Sequence, residues 1–149
     1  MRFYEITEEK KRHLDLLLLA DEQEDMIDRY LARGRLIVLE DGGVVQTVCV
    51  LTDEGGGTAE IKNLATRPQA QRQGYGRAMV AHVAGCLRGR FARLRVGTGE
   101  SPLTLPFYEA CGFRRVGVIQ DFFTQHYDHP IIEGGVKLRD MVILEMDLS

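Results

Sequence analysis

The sequence has little of three features that would identify other classes of protein: cysteine, long apolar runs and, in the middle of the chain, acidic residues. Cys49, Cys86 and Cys111 are odd in number and form no C-x-x-C pair, so neither a disulfide framework nor a zinc site is predicted. The longest apolar run, Leu16 to Ala20, is too short to span a bilayer, and the first residues begin no signal peptide. These absences exclude a membrane protein and lead us to expect a cytoplasmic location.

No repeat, linker or low-complexity segment divides the chain. Of its 149 residues, 44% are apolar and 28% are charged, which is ordinary for a globular protein. This length suffices to bury a sizeable core. We therefore expect residues 1–149 to form one domain.

One long stretch of the chain has no acidic residues: no Asp or Glu occurs between Glu60 and Glu100. The net charge of the chain is −3, and the part outside this stretch sums to −11. Such polarity favours a bound polyanion at the basic centre and a cationic partner at the acidic parts. A pI near 5.8 and the lack of an aromatic-interleaved basic stripe argue against nucleic acid as the polyanion. The eight basic residues of the stretch are Lys62, Arg67, Arg72, Arg77, Arg88, Arg90, Arg93 and Arg95.

A glycine loop, Gln71 to Gly76, lies inside the acid-free stretch between a strand pattern and a helical pattern. Its two glycines permit positive φ, and the following helix aims unpaired N–H groups back at the loop. A helix N-terminus carries about half a positive charge, which favours a phosphate or pyrophosphate. An ordinary turn with an N-cap is the alternative. A dinucleotide-binding fold would need a third glycine where Met79 stands.

Hydrophobic periodicity predicts the order β-α-α-β-β-β, glycine loop, α-β-α-β-β. The helix after the loop is long enough for a crossover, so the strand that follows it is predicted to run parallel to the strand before it. Gly34 is predicted to end the second helix, and Arg67-Pro68 the fourth strand. The predicted strands cover residues 3–6, 36–39, 44–51, 58–66, 93–97, 113–119 and 141–148, the helices cover 8–20, 21–33, a segment after Gly76 and 104–111, and a polar, aromatic loop precedes the last strand.

Three motifs in order resemble the GNAT superfamily of acyl-CoA-dependent N-acetyltransferases. They are Ala59-Glu60-Ile61, then Gln71-x-x-Gly74-x-Gly76, and Phe107-Tyr108-Glu109-x-x-Gly112-Phe113. From residue 36 to the C-terminus, the chain is similar to small single-domain bacterial members. The resemblance implies an α/β GNAT fold with a mixed, mostly antiparallel, twisted sheet of about six or seven strands, which splays between strands four and five and is flanked by about four helices.

The resemblance also implies acetyl-CoA as cosubstrate, without a metal, and assigns its contacts. The pantetheine arm pairs with the fourth strand in this family, which points to Leu64, Ala65 and Thr66, with an N–H near Leu64 facing the thioester oxygen. An asparagine that often holds the pantetheine is replaced by Ser101, so a contact there is left open. The pyrophosphate would be bound mainly by backbone N–H groups at Gln71, Arg72, Gln73, Gly74, Tyr75, Gly76 and Arg77.

Two residues match catalytic positions of the family. Glu60 stands where histone-acetylating members carry a catalytic glutamate. The match implies that Glu60 is a general base, acting directly or through a water. A base is needed because the amine must lose a proton before it attacks. The alternative for Glu60 is a salt bridge to Lys62. Tyr108 matches the tyrosine that protonates the departing coenzyme thiolate, and its alternative is a packed aromatic.

Direct acetyl transfer to a primary amine of a small molecule or a protein is therefore predicted. In this family, the first two helices and the loop between the last strands build the acceptor pocket. Both segments bear acids here, which favours a cationic amine. The alternative function is a non-catalytic acyl-CoA-binding module of the same fold, acting as a sensor or interaction surface, and a homodimer is left open. His126 and His129 are expected to line the pocket or pack, and Cys86 and Cys111 to be small core residues.

Overall fold

The sequence folds into nine strands and five helices in a computed structural model that describes every residue from Met1 to Ser149. None of the helices combines the length and the apolarity needed to cross a membrane. The strands are β1 (Arg2–Ile6), β2 (Arg35–Asp41), β3 (Val44–Gly55), β4 (Thr58–Thr66), β5 (Arg93–Gly99), β6 (Arg114–Ile119), β7 (Ile132–Glu133), β8 (Val136–Lys137) and β9 (Met141–Asp147). The helices are α1 (Leu14–Ala20), α2 (Glu24–Ile27), α3 (Tyr75–Leu87), α4 (Leu105–Ala110) and α5 (Phe122–His126).

Seven strands form the main sheet in the order β1-β2-β3-β4-β5-β9-β6. Only β4 and β5 pair in parallel, and α3 is the crossover between them. The other neighbours are antiparallel. The predicted mixed, mostly antiparallel sheet is therefore confirmed, and β6 is one of its two edges.

The sheet opens between its two parallel strands. Pairing of β4 with β5 runs from Thr58 opposite Arg93 to Ile61 opposite Val96 and stops there. Both strands continue past this point, β4 to Thr66 and β5 to Gly99. The predicted splay is thus confirmed, and it leaves one edge of β4 without a strand partner.

Hydrophobic cores lie on both faces of the sheet. On one face, α3 packs through a stripe of Met79, Val80, Val83, Ala84 and Leu87. On the other face, α1 and α2 contribute a smaller core that includes Leu17 and Ile27. Along β4, side chains alternate between the two faces of the sheet, and this alternation is interrupted at Lys62. Val50 of β3 pairs with Asn63, and the next residue, Leu51, pairs with Ile61, so Lys62 has no partner on β3. This β-bulge, which re-aims side chains locally, lies where the sheet begins to open.

The first two helices are shorter than predicted. The first begins at Leu14 after a 3-10 turn, and the second covers only Glu24–Ile27 before a series of turns. The ammonium of Lys10 donates to the carbonyls of Leu31, Ala32 and Gly34 at 3.1, 3.3 and 2.6 Å. These bonds satisfy carbonyl groups where the segment after α2 leads into β2.

Two further predictions were wrong. The segment before the last strand contains α5 and the β7–β8 hairpin rather than only a loop. Cys86 is exposed on α3, with its Sγ 3.6 Å from Nε2 of His82, whereas Cys49 is buried and Cys111 is partly buried. Cys86 lies outside the buried stripe of α3, so the helical period is consistent with its exposure.

Gly34 is required for close packing rather than for a left-handed helix end, since its φ is not positive. A Cβ atom here would lie 2.6 Å from Cγ1 of Val50 and 2.9 Å from the carbonyl oxygen of Tyr30. We expect Gly34→Ala to lower the free energy of unfolding by about 1–3 kcal/mol, as overpacking does. Urea unfolding at constant m-value measures this change.

Gly85→Ala is the matched control, because nothing lies within 4 Å of a Cβ built at Gly85 in α3. That substitution removes a glycine from a helix interior and should raise stability by up to about 1 kcal/mol. Equal effects of the two substitutions would contradict the packing explanation for Gly34.

Candidate active site

Two cavities meet at the opening between β4 and β5. The larger, of about 920 Å³, lies under α1, α2, α5 and β6, and the smaller, of about 190 Å³, lies between β4, β5 and α4. Seven lining residues are common to both, so the two cavities adjoin where the sheet opens. These residues are Leu19, Ala20, Ile61, Lys62, Gly97, Thr98 and Glu133.

The backbone of β4 presents polar groups to this opening. The Arg67 N–H donates to the carbonyl of Gln46 on β3 at 2.9 Å, and antiparallel alternation then turns the Ala65 N–H toward β3 as well. The same alternation turns the backbone groups of Leu64 and Thr66 toward the opening. Gln71 confirms this direction, because its Nε2 donates to the Thr66 carbonyl at 3.2 Å. Two of the three predicted pantetheine positions therefore face the opening through their backbone.

The glycine loop has the backbone conformation that an anion site needs. Arg72 and Gly74 have φ of 65° and 86°. Gly74 is the N-cap of α3, no side chain caps that end, and the first turn of α3 has no acidic residue. N–H groups at this helix terminus are therefore available to an oxyanion ligand.

Side chains around the loop hold it in place. Gln73 donates to the Gln69 carbonyl at 3.3 Å. The Tyr75 hydroxyl donates to Oδ2 of Asp41 at 2.7 Å, and this bond lowers the pKa of Asp41. Nη2 of Arg77 reaches the Ala110 carbonyl at 3.5 Å. These groups stabilise the loop, which leaves its backbone as the ligand-facing part.

Gly76 permits α3 to approach α4 closely. A Cβ at Gly76 would lie 3.3 Å from Cζ of Phe107 and 3.7 Å from Oγ1 of Thr66. The helix that presents the glycine loop is thereby packed against the helix that carries Tyr108.

Glu60 lines the larger cavity between two cations. Its Oε2 lies 2.8 Å from Nζ of Lys62, its Oε1 lies 3.6 Å from Nη1 of Arg95, and its side chain is 13% exposed. Arg95 also contacts Glu145 at 3.5 Å. The structure thus contains the alternative that we considered for Glu60, the Lys62 salt bridge. The base role stays a prediction, and a proton accepted by Glu60 would weaken both ion pairs.

Tyr108 lines the smaller cavity and is also packed in the core. It is 7% exposed and makes edge-to-face contacts with Phe107 and Phe113, at centroid distances of 5.1 and 5.6 Å. Burial raises the pKa of Tyr108, so the phenol keeps its proton at neutral pH. Because a phenol is a weaker acid than a thiol, the group acts best as a hydrogen-bond donor to a forming thiolate.

Ser101 lies outside the walls of both cavities. It is 2% exposed, and its Oγ accepts a hydrogen bond from the Leu103 N–H at 3.0 Å. A coenzyme contact at Ser101 stays a prediction. Thr104, at the N-cap of α4, is the nearby hydroxyl that does line the smaller cavity, and it accepts from Oγ1 of Thr98 at 2.8 Å.

The sequence did not single out Glu133, which is the one carboxylate that lines both cavities. Burial raises the pKa of Glu133, and a hydrogen bond from Ser101 partly offsets the rise. Tyr108 also lines the smaller cavity, so the two side chains border the same space. Glu133 belongs to no motif, so only its place in the predicted acceptor segment could have suggested it.

A polar network joins the segment between α1 and α2 to the segment around α5. Asp21 accepts hydrogen bonds from the hydroxyls of Tyr30 at 2.9 Å and Tyr127 at 2.6 Å, and burial raises its pKa. This contact closes one side of the larger cavity, where both tyrosines lie.

His129 makes a second bridge between the same segments. Its two ring nitrogens lie 2.6 Å from Asp128 and 2.7 Å from Glu22, and both contacts raise the pKa of His129. His126 instead contacts Nη1 of Arg29 at 3.4 Å. No group of three His, Cys, Asp or Glu side chains is arranged to hold a metal ion.

The fold and the site together define a class of protein with a glycine loop at a helix N-terminus, a sheet splayed between two parallel strands, and cavities that adjoin at the splay. Residues 32–115 match the family model described as Acetyltransferase (GNAT) domain. A curated relative, the uncharacterized N-acetyltransferase YvbK of Bacillus subtilis (strain 168), is 39% identical over 147 residues, which are 97% of this chain and 95% of the relative.

Solved acetyltransferase structures have the same fold as this chain. The IAA acetyltransferase from Bacillus cereus ATCC 14579 has a TM-score of 0.92 and 38% identity, with 99% of each chain covered. A GNAT family acetyltransferase from Elizabethkingia anophelis, with acetyl-CoA bound, has a TM-score of 0.91 and 33% identity, covering 99% of this chain and 97% of that one. The chain therefore belongs to the GNAT family and is an acetyl-CoA-dependent N-acetyltransferase.

Proposed function

We propose that this enzyme transfers the acetyl group directly from acetyl-CoA to a primary amine of a small molecule or a protein, inside the opening between β4 and β5. The observation that carries this proposal is that two cavities adjoin at the opening in the sheet and share seven wall residues. The glycine loop lies on the smaller-cavity side, the free edge of β4 lines the opening, and the acidic cavity opens on the other side. Donor and acceptor can therefore meet without a covalent enzyme intermediate.

The free edge of β4 orients the thioester. Leu64 and Thr66 offer backbone groups to the pantetheine arm, while the pyrophosphate binds the N-terminus of α3. The Leu64 N–H donates to the thioester oxygen as negative charge develops on it. One such donor is worth about 3 kcal/mol in the barrier.

In the chemical step, the neutral amine nitrogen attacks the thioester carbonyl carbon. The carbon–sulfur bond then breaks, the electron pair leaves on sulfur, and the amine proton passes to a base. Tyr108 donates a hydrogen bond to the departing sulfur. Glu60, which reaches the larger cavity, is the proposed proton acceptor, directly or through a water.

The charge of the larger cavity favours a cationic acceptor. Six carboxylates and four cations line it, which leaves an excess of negative charge. An ammonium compound is attracted to such a cavity before it loses its proton. The carboxylates are Asp21, Glu22, Glu54, Glu60, Glu133 and Glu145, and the cations are Arg29, Arg33, Lys62 and Arg95.

Glu60→Gln tests the base. We expect kcat/KM to fall about 100-fold, as general bases contribute, and the acidic limb of its pH profile to disappear. Glu145→Gln is the matched control, because Glu145 shares Arg95 and the same cavity, and it should keep the limb. An unchanged acidic limb in Glu60→Gln would remove Glu60 from the proton path.

The overall reaction is tested by two products measured together. With acetyl-CoA and a reactive primary amine, free thiol and N-acetylated amine should form in equal amounts, and a tertiary amine should give neither above background. Thiol release that no primary amine accelerates would contradict the proposal.

A further inference from the structure

The exposed apolar surface of this protein is concentrated at one place. Nine large apolar side chains are exposed, and six of them line the larger cavity. Exposed apolar side chains scattered singly are normal, whereas a contiguous group marks a binding surface. The six are Leu19, Leu103, Val116, Val118, Ile119 and Ile132, with exposures of 50, 60, 46, 57, 45 and 65%.

The edge strand β6 supplies half of this apolar wall. All six residues of β6 are exposed, because the strand pairs only with β9 and nothing covers its free side. A register shift between Arg115 and Gly117 leaves Val116 as an extra residue. Such a bulge turns side chains locally, and Val116, Val118 and Ile119 all line the cavity.

Glu133 lies beside this wall and has no cation partner within salt-bridge distance. Four of the other cavity carboxylates are paired with Arg33, Lys62, Arg95 or His129. Asp21 accepts from two tyrosine hydroxyls, and Glu133 has the Ser101 hydroxyl beside it but no cation. Glu133 is also the one carboxylate at the junction of the two cavities. A half-buried carboxylate without a counter-ion attracts a ligand cation.

We propose that the acceptor is a primary amine with an aryl or alkyl group, whose nitrogen binds Glu133 at the junction and whose apolar group lies on the wall formed with β6. This deepens the proposed acetyl transfer and rests on it. Polyamines and amino sugars would leave the six apolar side chains in water. A cavity of about 920 Å³ is within the range that small-molecule ligands occupy.

The test compares two small amines, 2-phenylethylamine and ethanolamine, with spermidine as a polycationic third. We expect wild-type kcat/KM to be highest for 2-phenylethylamine. Val118→Ser should lower kcat/KM for 2-phenylethylamine about tenfold, mainly through KM, as losing apolar contact in a pocket does. It should lower the value for ethanolamine far less, because ethanolamine has no large apolar group to lie on the wall.

Val44→Ser is the matched control, because Val44 is also an exposed valine, at 39%, yet lies outside the cavity. This substitution should change kcat/KM for neither amine. Glu133→Gln should raise KM for both amines, since it removes the group that binds the nitrogen. Melting temperatures with and without acetyl-CoA check that each variant is folded and binds the donor.

Several results would overturn the proposal. Higher kcat/KM for spermidine or ethanolamine than for 2-phenylethylamine would exclude the apolar acceptor, while leaving acetyl transfer itself intact. Equal loss for both small amines in Val118→Ser would do the same. A dimer that Val118→Ser converts to a monomer, measured by light scattering, would make the wall a subunit interface. Absence of thiol release with every amine would instead reject the proposed function.

Discussion

Tyr108→Phe should lower kcat by about 100-fold while changing the Kd for acetyl-CoA little. The phenol is buried in the wall of the smaller cavity, and its raised pKa keeps the O–H proton in place. A donor that acts only as the sulfur becomes negative stabilises the transition state and not the bound donor. Loss of a positioned acid typically costs a factor of about 10² to 10⁴.

Tyr75→Phe is the control for this substitution. Tyr75 is the other tyrosine on the coenzyme side, but its hydroxyl is bonded to Asp41 at 2.7 Å. Its loss should leave kcat near the wild-type value. Steady-state turnover and donor affinity, measured for both variants, separate the two roles. Wild-type turnover in Tyr108→Phe would show that the residue only packs, against Phe107 and Phe113.

Gly74→Val should raise the KM for acetyl-CoA by about 10-fold to 100-fold. Gly74 has a φ of 86°, which a β-branched residue adopts only with a strain of about 1–3 kcal/mol. Relief of that strain should move the N–H groups that we propose bind the pyrophosphate. Each 1.4 kcal/mol lost is about tenfold in affinity, so strain of this size gives the stated range.

Gly89→Val separates the binding effect from strain alone. Gly89 has a φ of 84° and, like Gly74, has no atom within 4 Å of a built Cβ, but it follows the opposite end of α3. Both variants should lose similar stability. Only Gly74→Val should weaken the binding of acetyl-CoA, as measured by the KM for acetyl-CoA and by the rise in melting temperature that acetyl-CoA induces. Equal KM values in the two variants would remove the glycine loop from the donor site.

The main sheet could be predicted because its signals are local. Short apolar, β-branched runs mark β2 and β3, and a helical period marks the buried stripe of α3. The parallel pair followed from the length of the crossover between Thr66 and Arg93. The glycine loop could be placed because Gly74 and Gly76 stand directly before a helix.

The features that period could not predict depend on contacts between distant residues. The bulge at Lys62 arises from the register between β3 and β4, and it lies beside Glu60. Arg95 approaches Glu60 only because β4 and β5 pair in parallel. Glu133 reaches the opening only because a β7–β8 hairpin forms in a segment that reads as a polar loop.

Apolar spacing in residues 21–33 fits one helix, whereas α2 ends at Ile27 and turns follow. Tyr30 and Leu31 are nevertheless buried in the smaller core. Periodicity therefore located the buried residues but not the end of the helix. The wall of β6 also escaped prediction, because an edge strand with both faces exposed has the same apolar pattern as a buried one.

Direct transfer in the opening between β4 and β5 is most directly tested by intact-protein mass spectrometry after incubation with acetyl-CoA alone. Cys49 is buried with a pKa raised to about 12, and burial also raises the pKa of Cys111, so neither thiol is a ready acetyl carrier. We predict an unmodified protein mass, followed by N-acetylated product once a primary amine is added. An acetylated protein that passes its acetyl group to the amine would contradict direct transfer.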